Sequence, residues 1–130
     1  MFSQGDLSQF YGTEHYYRFS PFHPKVVMTD GARFVAKNGG QQGAYWLMDT
    51  IASYQPDPLG RCSFQAWTLT VREDKSAVLV CKNGGDVEKV HQEIGYTDFG
   101  LPGITLWVEE GALGPHAANR VRVIMLPSEH

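Results

Sequence analysis

Hydrophobic and polar positions divide this chain into a first half with helical spacing and a second half that alternates. Residues 1–12 are polar with scattered aromatics, and Asp6 to Phe10 predicts one helical turn capped by Asp6. His15 to Phe19 is aromatic and alternates as a strand does, and Lys25 to Met28 is a short β-branched run. Between them, Ser20-Pro21-Phe22-His23-Pro24 has to turn, because two prolines fix φ and remove two donors. Thr29 or Asp30 is placed to cap a helix through Ala32, Phe34, Val35 and Ala36. Asn38-Gly39-Gly40 ends it, with a glycine expected in the left-handed conformation. A second helix starts near Gln42 and brings Ala44, Leu47, Met48 and Ile51 to one face at i, i+3, i+4 and i+7. Tyr45, Trp46 and Ala52 widen that stripe, and the prolines of Gln55 to Gly60 end it.

The remainder predicts strands. Gln65, Trp67, Leu69 and Val71 alternate with Ala66, Thr68 and Thr70. Glu73 to Ser76 is a polar turn, and Ala77 to Lys82 returns as the second arm of a hairpin. After Asn83-Gly84-Gly85-Asp86, Val87 to Tyr96 puts Val90, Ile94 and Tyr96 on one face, opposite Lys89, His91 and Glu93. Ile104, Leu106 and Val108 face the core in the next strand, which turns Thr105, Trp107 and Glu109 outward. A glycine-containing stretch from Gly111 to Asn119 leads to a last strand, Arg120 to Leu126, stopped by Pro127. Successive hairpins need no crossover. The expected fold is therefore α+β: an antiparallel sheet of about five to six strands, with two short helices packed on one face.

With 130 residues, 42% of them hydrophobic, the chain has the size and apolar content of one domain, 1–130. A formal charge of −3 gives no electrostatic case for direct nucleic-acid binding. No apolar run reaches the roughly 20 residues that cross a bilayer, and MFSQGDLSQF lacks the basic and apolar regions of a signal peptide. These features predict a cytoplasmic protein without membrane contact. Cys62 and Cys81 are too few for a disulfide framework; Cys81, in AVLVC, is expected as a small buried apolar residue and Cys62 as a loop thiol.

Known catalytic signatures are lacking: the chain has no P-loop, dinucleotide fingerprint, HExxH or GxSxG. Lys37-Asn38-Gly39-Gly40 and Lys82-Asn83-Gly84-Gly85 read as glycine turns at element ends. The histidines His15, His23, His91, His116 and His130 are dispersed, so neither a metal nor another cofactor is predicted. Asp30, Asp49 and Asp98 with His15 offer an acid and a base only if folding assembles them; the plainer expectation is a cap for Asp30 and for Asp98. Trp107 is the most unusual residue. Pointing away from the core, it is either an interface anchor or lies beneath an N-terminal segment carrying Tyr16, Tyr17 and Phe19. Glu109 and Glu110 offer it an acidic rim. The expected partner-binding residues are Trp107, Glu109, Glu110, Tyr16 and Arg18.

Six segments stand out in order: Phe10-Tyr11-Gly12-Thr13-Glu14, Met28-Thr29-Asp30-Gly31, Ala44-Tyr45-Trp46-Leu47-Met48-Asp49, Trp67-Thr68-Leu69-Thr70-Val71, Tyr96-Thr97-Asp98-Phe99 and Leu126-Pro127-Ser128-Glu129. In this order and spacing the chain resembles an uncharacterised family of small proteins from bacteria, plasmids and phages, a domain of unknown function. The likeness spans nearly the whole chain and implies a complete single-domain member, with the Gly111 to Asn119 stretch longer than the family pattern. It implies no activity. The leading expectation is a non-enzymatic mobile-element protein that binds and inhibits a host defence complex, concretely an anti-CRISPR protein acting on a CRISPR-Cas effector. One alternative is a small hydrolase using Asp30, Asp49 or Asp98 with His15. The other is a plasmid accessory protein that homodimerises through a β edge.

Overall fold

The computed structural model describes residue 7 and residues 15–41, 43–55, 63–83, 87–112 and 120–130. The helical turn expected at Asp6 to Phe10, the Pro56 to Gly60 loop, the Cys62 thiol, the Gly84 to Asp86 turn and residues 113–119 of the long loop lie outside them, except Leu7, which is buried in the core. In chain order the elements are β1 (Tyr17–Arg18), β2 (Val26–Met28), α1 (Asp30–Asn38), α2 (Tyr45–Ser53), β3 (Phe64–Val71), β4 (Ala77–Lys82), β5 (Glu88–Ile94), β6 (Gly103–Ala112) and β7 (Arg120–Met125). A 3-10 turn, Pro127–Glu129, follows.

The α+β class holds, but the sheet is larger and more varied than expected. It has seven strands in the order β1-β2-β7-β6-β3-β4-β5, and it is mixed, because β2 and β7 run parallel. The β3–β4 hairpin forms with Trp67 opposite Cys81 and Leu69 opposite Leu79. β6 does not extend the meander beyond β5. It returns to pair with β3, setting Leu106 against Trp67 and Val108 against Gln65. The burial of each strand explains the order: β5 buries only Val90 and suits an edge, whereas β3, β6 and β7 carry the buried residues of the sheet centre.

Both helices contribute to one core with the strands. Ala32, Val35, Ala36, Leu47, Met48 and Ile51 pack in one cluster with Trp67, Leu69, Leu106, Val108 and Ile124. Each fully buried large aliphatic side chain there is worth about 1.5–3 kcal/mol. The polar groups inside are paired. Gln55 and Gln65 exchange amide hydrogen bonds of 2.9 Å each way, and Trp67 Nε1 donates to Gln65 Oε1 at 2.9 Å. Cys81 is buried, as its position in AVLVC suggested.

α1 begins where the sheet's parallel pair ends. Thr29 is the N-cap: its Oγ1 accepts from Ala32 N at 3.2 Å and donates to Glu129 Oε1 at 2.6 Å. Glu129 Oε2 accepts from Gly31 N at 2.9 Å, and Oε1 also takes Leu126 N at 3.0 Å. A Cβ on Gly31 would lie 2.5 Å from Glu129 Oε1 and 2.7 Å from Leu126 Cδ1, so only glycine admits this approach. At the other end of α1, Gly39 is right-handed, with φ −70°, and not left-handed as expected. Its role is space, since a Cβ there would meet Ala44 Cβ at 2.6 Å. The positive φ falls instead on Gly43, at +82°.

Glu129→Ala removes an ionised acceptor from three donors and should cost about 2–3 kcal/mol in urea unfolding. Gly31→Ala should also destabilise, because its new methyl group collides with the same carboxylate. Combined, the two changes should cost less than the sum of the singles. Strict additivity in that double-mutant cycle would mean that Glu129 and Gly31 are not coupled.

Candidate functional site

The sheet's second face carries most of the residues expected to bind a partner. Along one row, Arg18 lies opposite Val27, Val27 opposite Val123, Val123 opposite Glu109, and Glu109 opposite Phe64. Trp107 points to this same side, as its alternation predicted. It packs against a second apolar cluster of Val27, Val121, Val123 and Met125. Its ring meets Phe64 edge-on at 5.2 Å and His130 at 5.3 Å, and Glu109 Oε1 lies 2.8 Å from His130 Nε2. Trp107 is therefore half-buried, clasped by Phe64 and His130. Tyr17 and Phe19, the residues considered as its cover, pack instead against the helical core.

The remaining expected binders divide. Arg18 shares the face and donates from Nε to Pro24 O at 2.9 Å. Tyr16 precedes β1 and is exposed. Glu110 falls on the opposite face, where it bridges Arg120 at 2.8 Å and Arg122 at 3.4 Å. Beyond Trp107 the face is open: Thr68 and Thr70 are exposed, and Ala66, Val78, Val80 and Thr105 are half-buried. These short and β-branched side chains form a platform beside the indole, and Thr68, Thr70 and Thr105 also line a hollow of about 580 Å³ with Pro127 and Ser128.

The proposed acids and base are only partly assembled. His15 Nδ1 stands 4.0 Å from Asp30 Oδ1, longer than a hydrogen bond. Tyr17 OH donates to that same oxygen at 3.0 Å, and this bond, with some burial, raises the tyrosine above its ordinary value. Asp49 is exposed on α2. Asp98 is a loop clamp: its Oδ2 accepts from Gln41 N at 2.9 Å, and Thr97 Oγ1 accepts from Phe99 N at 3.1 Å. A Cβ on Gly40 would run into the Asp98 carboxylate. Among the described residues, no group of three His, Cys, Asp or Glu side chains is arranged to hold a metal.

Two arrangements escape a linear reading. On β5, His91 Nδ1 lies 2.9 Å from Glu88 Oε1 and its Nε2 lies 3.0 Å from Glu93 Oε2, while Arg72 reaches Glu93 at 3.0 Å. The i, i+2 spacing of His91 and Glu93 on one strand was the available signal. These charges, with Lys89, guard the β5 edge against strand addition. The second is a groove of about 430 Å³ lined by Tyr45, Trp46, Tyr96 and Asp98 with Gln41, Gly43 and Thr97. It was hidden because Tyr96 was expected on the inner face of a longer strand. β5 stops at Ile94, and Tyr96 stands exposed beyond it.

The chain belongs to DUF6876, a family of unknown function, matched over residues 1–130. No curated protein and no solved structure matches it. No helix among the described residues is long and apolar enough to cross a membrane.

The two carboxylates raise His91 above its ordinary 6.5, chiefly through the hydrogen bond to Glu93 and next through that to Glu88. Glu93 is lowered below its ordinary 4.5, first by His91 and then by Arg72. A raised histidine stabilises the fold below its unfolded value and loses that contribution as pH climbs through the folded one; a lowered glutamate stabilises above its unfolded value and loses it as pH falls. The cluster should thus support β5 most between these two ordinary values. An NMR titration should find His91 titrating above the ordinary histidine value of 6.5, and Glu93→Gln should bring it down. An unmoved His91 in that variant would discount the pairing.

Proposed function

We propose that this member of the family is a non-catalytic mobile-element protein that docks onto a host defence complex and inhibits it, most concretely a CRISPR-Cas effector. The observation that carries the binding part is the open half of the second sheet face, with Trp107 at its border. Tryptophan is enriched at the energetic centres of interfaces. A ring already clasped by Phe64 and His130 gives up little freedom on docking. A standard interface takes about 800 Å² per partner, on the order of a tenth of this chain's 7345 Å². The partner's class comes from the mobile-element character that the sequence resemblance implies.

Two carboxylates of the recognisable segments are held in structural roles, which supports a binding role over a catalytic one. Glu129 caps α1 and Asp98 clamps a loop, each accepting backbone N–H groups. Among the described residues, the approach of His15 to Asp30 at 4.0 Å favours the hydrolase reading.

Purified protein mixed with candidate effector complexes should co-elute with one of them and reduce its binding to target DNA. Thr68→Lys, on an exposed position of the platform, should weaken that association about tenfold or more, since an unpaired charge is forced into the interface. Failure to bind any effector defeats the inhibitor reading. Undiminished binding by both Thr68→Lys and Trp107→Ala would move the contact to another surface.

A further inference from the structure

A groove lies between the α1–α2 connection and the loop after β5. Tyr45 and Trp46 open the first turn of α2, and Tyr96 approaches from the loop. Tyr96 is 71% exposed, Tyr45 is 37% exposed, and Trp46 is half-buried. Three aromatic side chains around one concave space present apolar, electron-rich faces that solvent covers poorly. Asp98 also lines the groove. One of its oxygens is held by Gln41 N–H, which fixes the carboxylate in place. Asp49, one turn along α2 from Tyr45, is an exposed carboxylate on the helix. Among the described residues, none of the lining side chains is basic.

Aromatic faces combined with fixed carboxylates attract a cation. The chain displays that combination elsewhere, closed on a cation of its own. The Arg33 guanidinium carbon lies 4.2 Å above the Tyr17 ring, and the Tyr17 hydroxyl donates to Asp30 at 3.0 Å. We propose that the Tyr45–Trp46–Tyr96 groove receives an arginine side chain of a partner protein, its guanidinium stacked on the aromatic faces and donating to Asp98. Arginine fits better than lysine because the planar fork stacks on rings, is weakly hydrated, and pairs with a carboxylate in a defined geometry. The site is separate from the sheet face and does not depend on its being an interface.

The test is a titration of the ¹⁵N-labelled protein with N-acetyl-argininamide, following the Trp46 indole N–H and the Gln41 and Thr97 amides. N-acetyl-citrullinamide, the uncharged isostere, N-acetyl-lysinamide and methyl glucoside are run in parallel. The arginine probe should give saturable shifts with a millimolar midpoint, and the citrulline probe should bind about fivefold more weakly or less. Tyr96→Ala changes an exposed residue, and Asp98→Asn keeps an acceptor for Gln41 N–H. Each should weaken the arginine probe about fivefold while distant amides stay in place. Four results would overturn the assignment: no saturation, equal response to the citrulline probe, equal or tighter binding of the lysine probe or the sugar, or a midpoint unchanged in Tyr96→Ala.

Discussion

A single carboxylate holds the architecture at its narrowest point. Glu129 accepts from Gly31 N–H, from the Thr29 hydroxyl and from Leu126 N–H. The first two belong to the start of α1 and the third to the end of β7. One charged group therefore joins the helix to the strand that runs parallel to β2. Thr29 N donating to Ile124 O continues the same seam in the backbone. The start of a helix is the place where a fold of this kind most readily binds an anion, because its free amides and dipole both favour negative charge. Here the chain supplies that anion itself, which makes the position structural.

The same economy recurs across the molecule. Asp98 anchors the connection between the helices, and a reciprocal amide pair with an indole donor fills the polar needs of the inner layer. Among the described residues, no buried side-chain nitrogen or oxygen lacks a partner, so the inward polar groups are consumed by packing. The two recognition surfaces proposed above lie on the outside of the sheet and at the loops.

Periodicity made some of this fold legible and left the rest out of reach. The 3.6-residue spacing of Ala44, Leu47, Met48 and Ile51 marked α2, and all four are buried. Alternation in β6 placed Leu106 and Val108 inward and Trp107 outward, as found. Neither pattern carries information about which strands become neighbours. The parallel β2–β7 pair joins residues close to a hundred positions apart, and the Glu129 contacts to Thr29 and Gly31 span 100 and 98. The glycines misled for a related reason. A glycine in sequence signals freedom in φ, while Gly31 and Gly39 are needed because something distant or adjacent comes too close for a side chain. Tyr96 was misplaced because alternation alone cannot say where a strand stops, and that error concealed the aromatic groove. The acid–base candidates could be named from sequence, but their separation is a property of the assembled chain.

The two outward features differ in how much ordering they demand of a partner. Trp107 is held before any contact, its ring wedged between Phe64 and His130 over a small apolar cluster of its own. An anchor of that kind adds contact area at low entropic cost. Tyr96 is the opposite case, largely exposed and attached to a loop. Ordering an exposed ring on binding costs entropy, so a guest of that groove would gain less from Tyr96 than a partner of the sheet face gains from Trp107. A broad rigid face and a small adaptable groove suit different scales of contact: the first an extended protein surface, the second a single projecting residue.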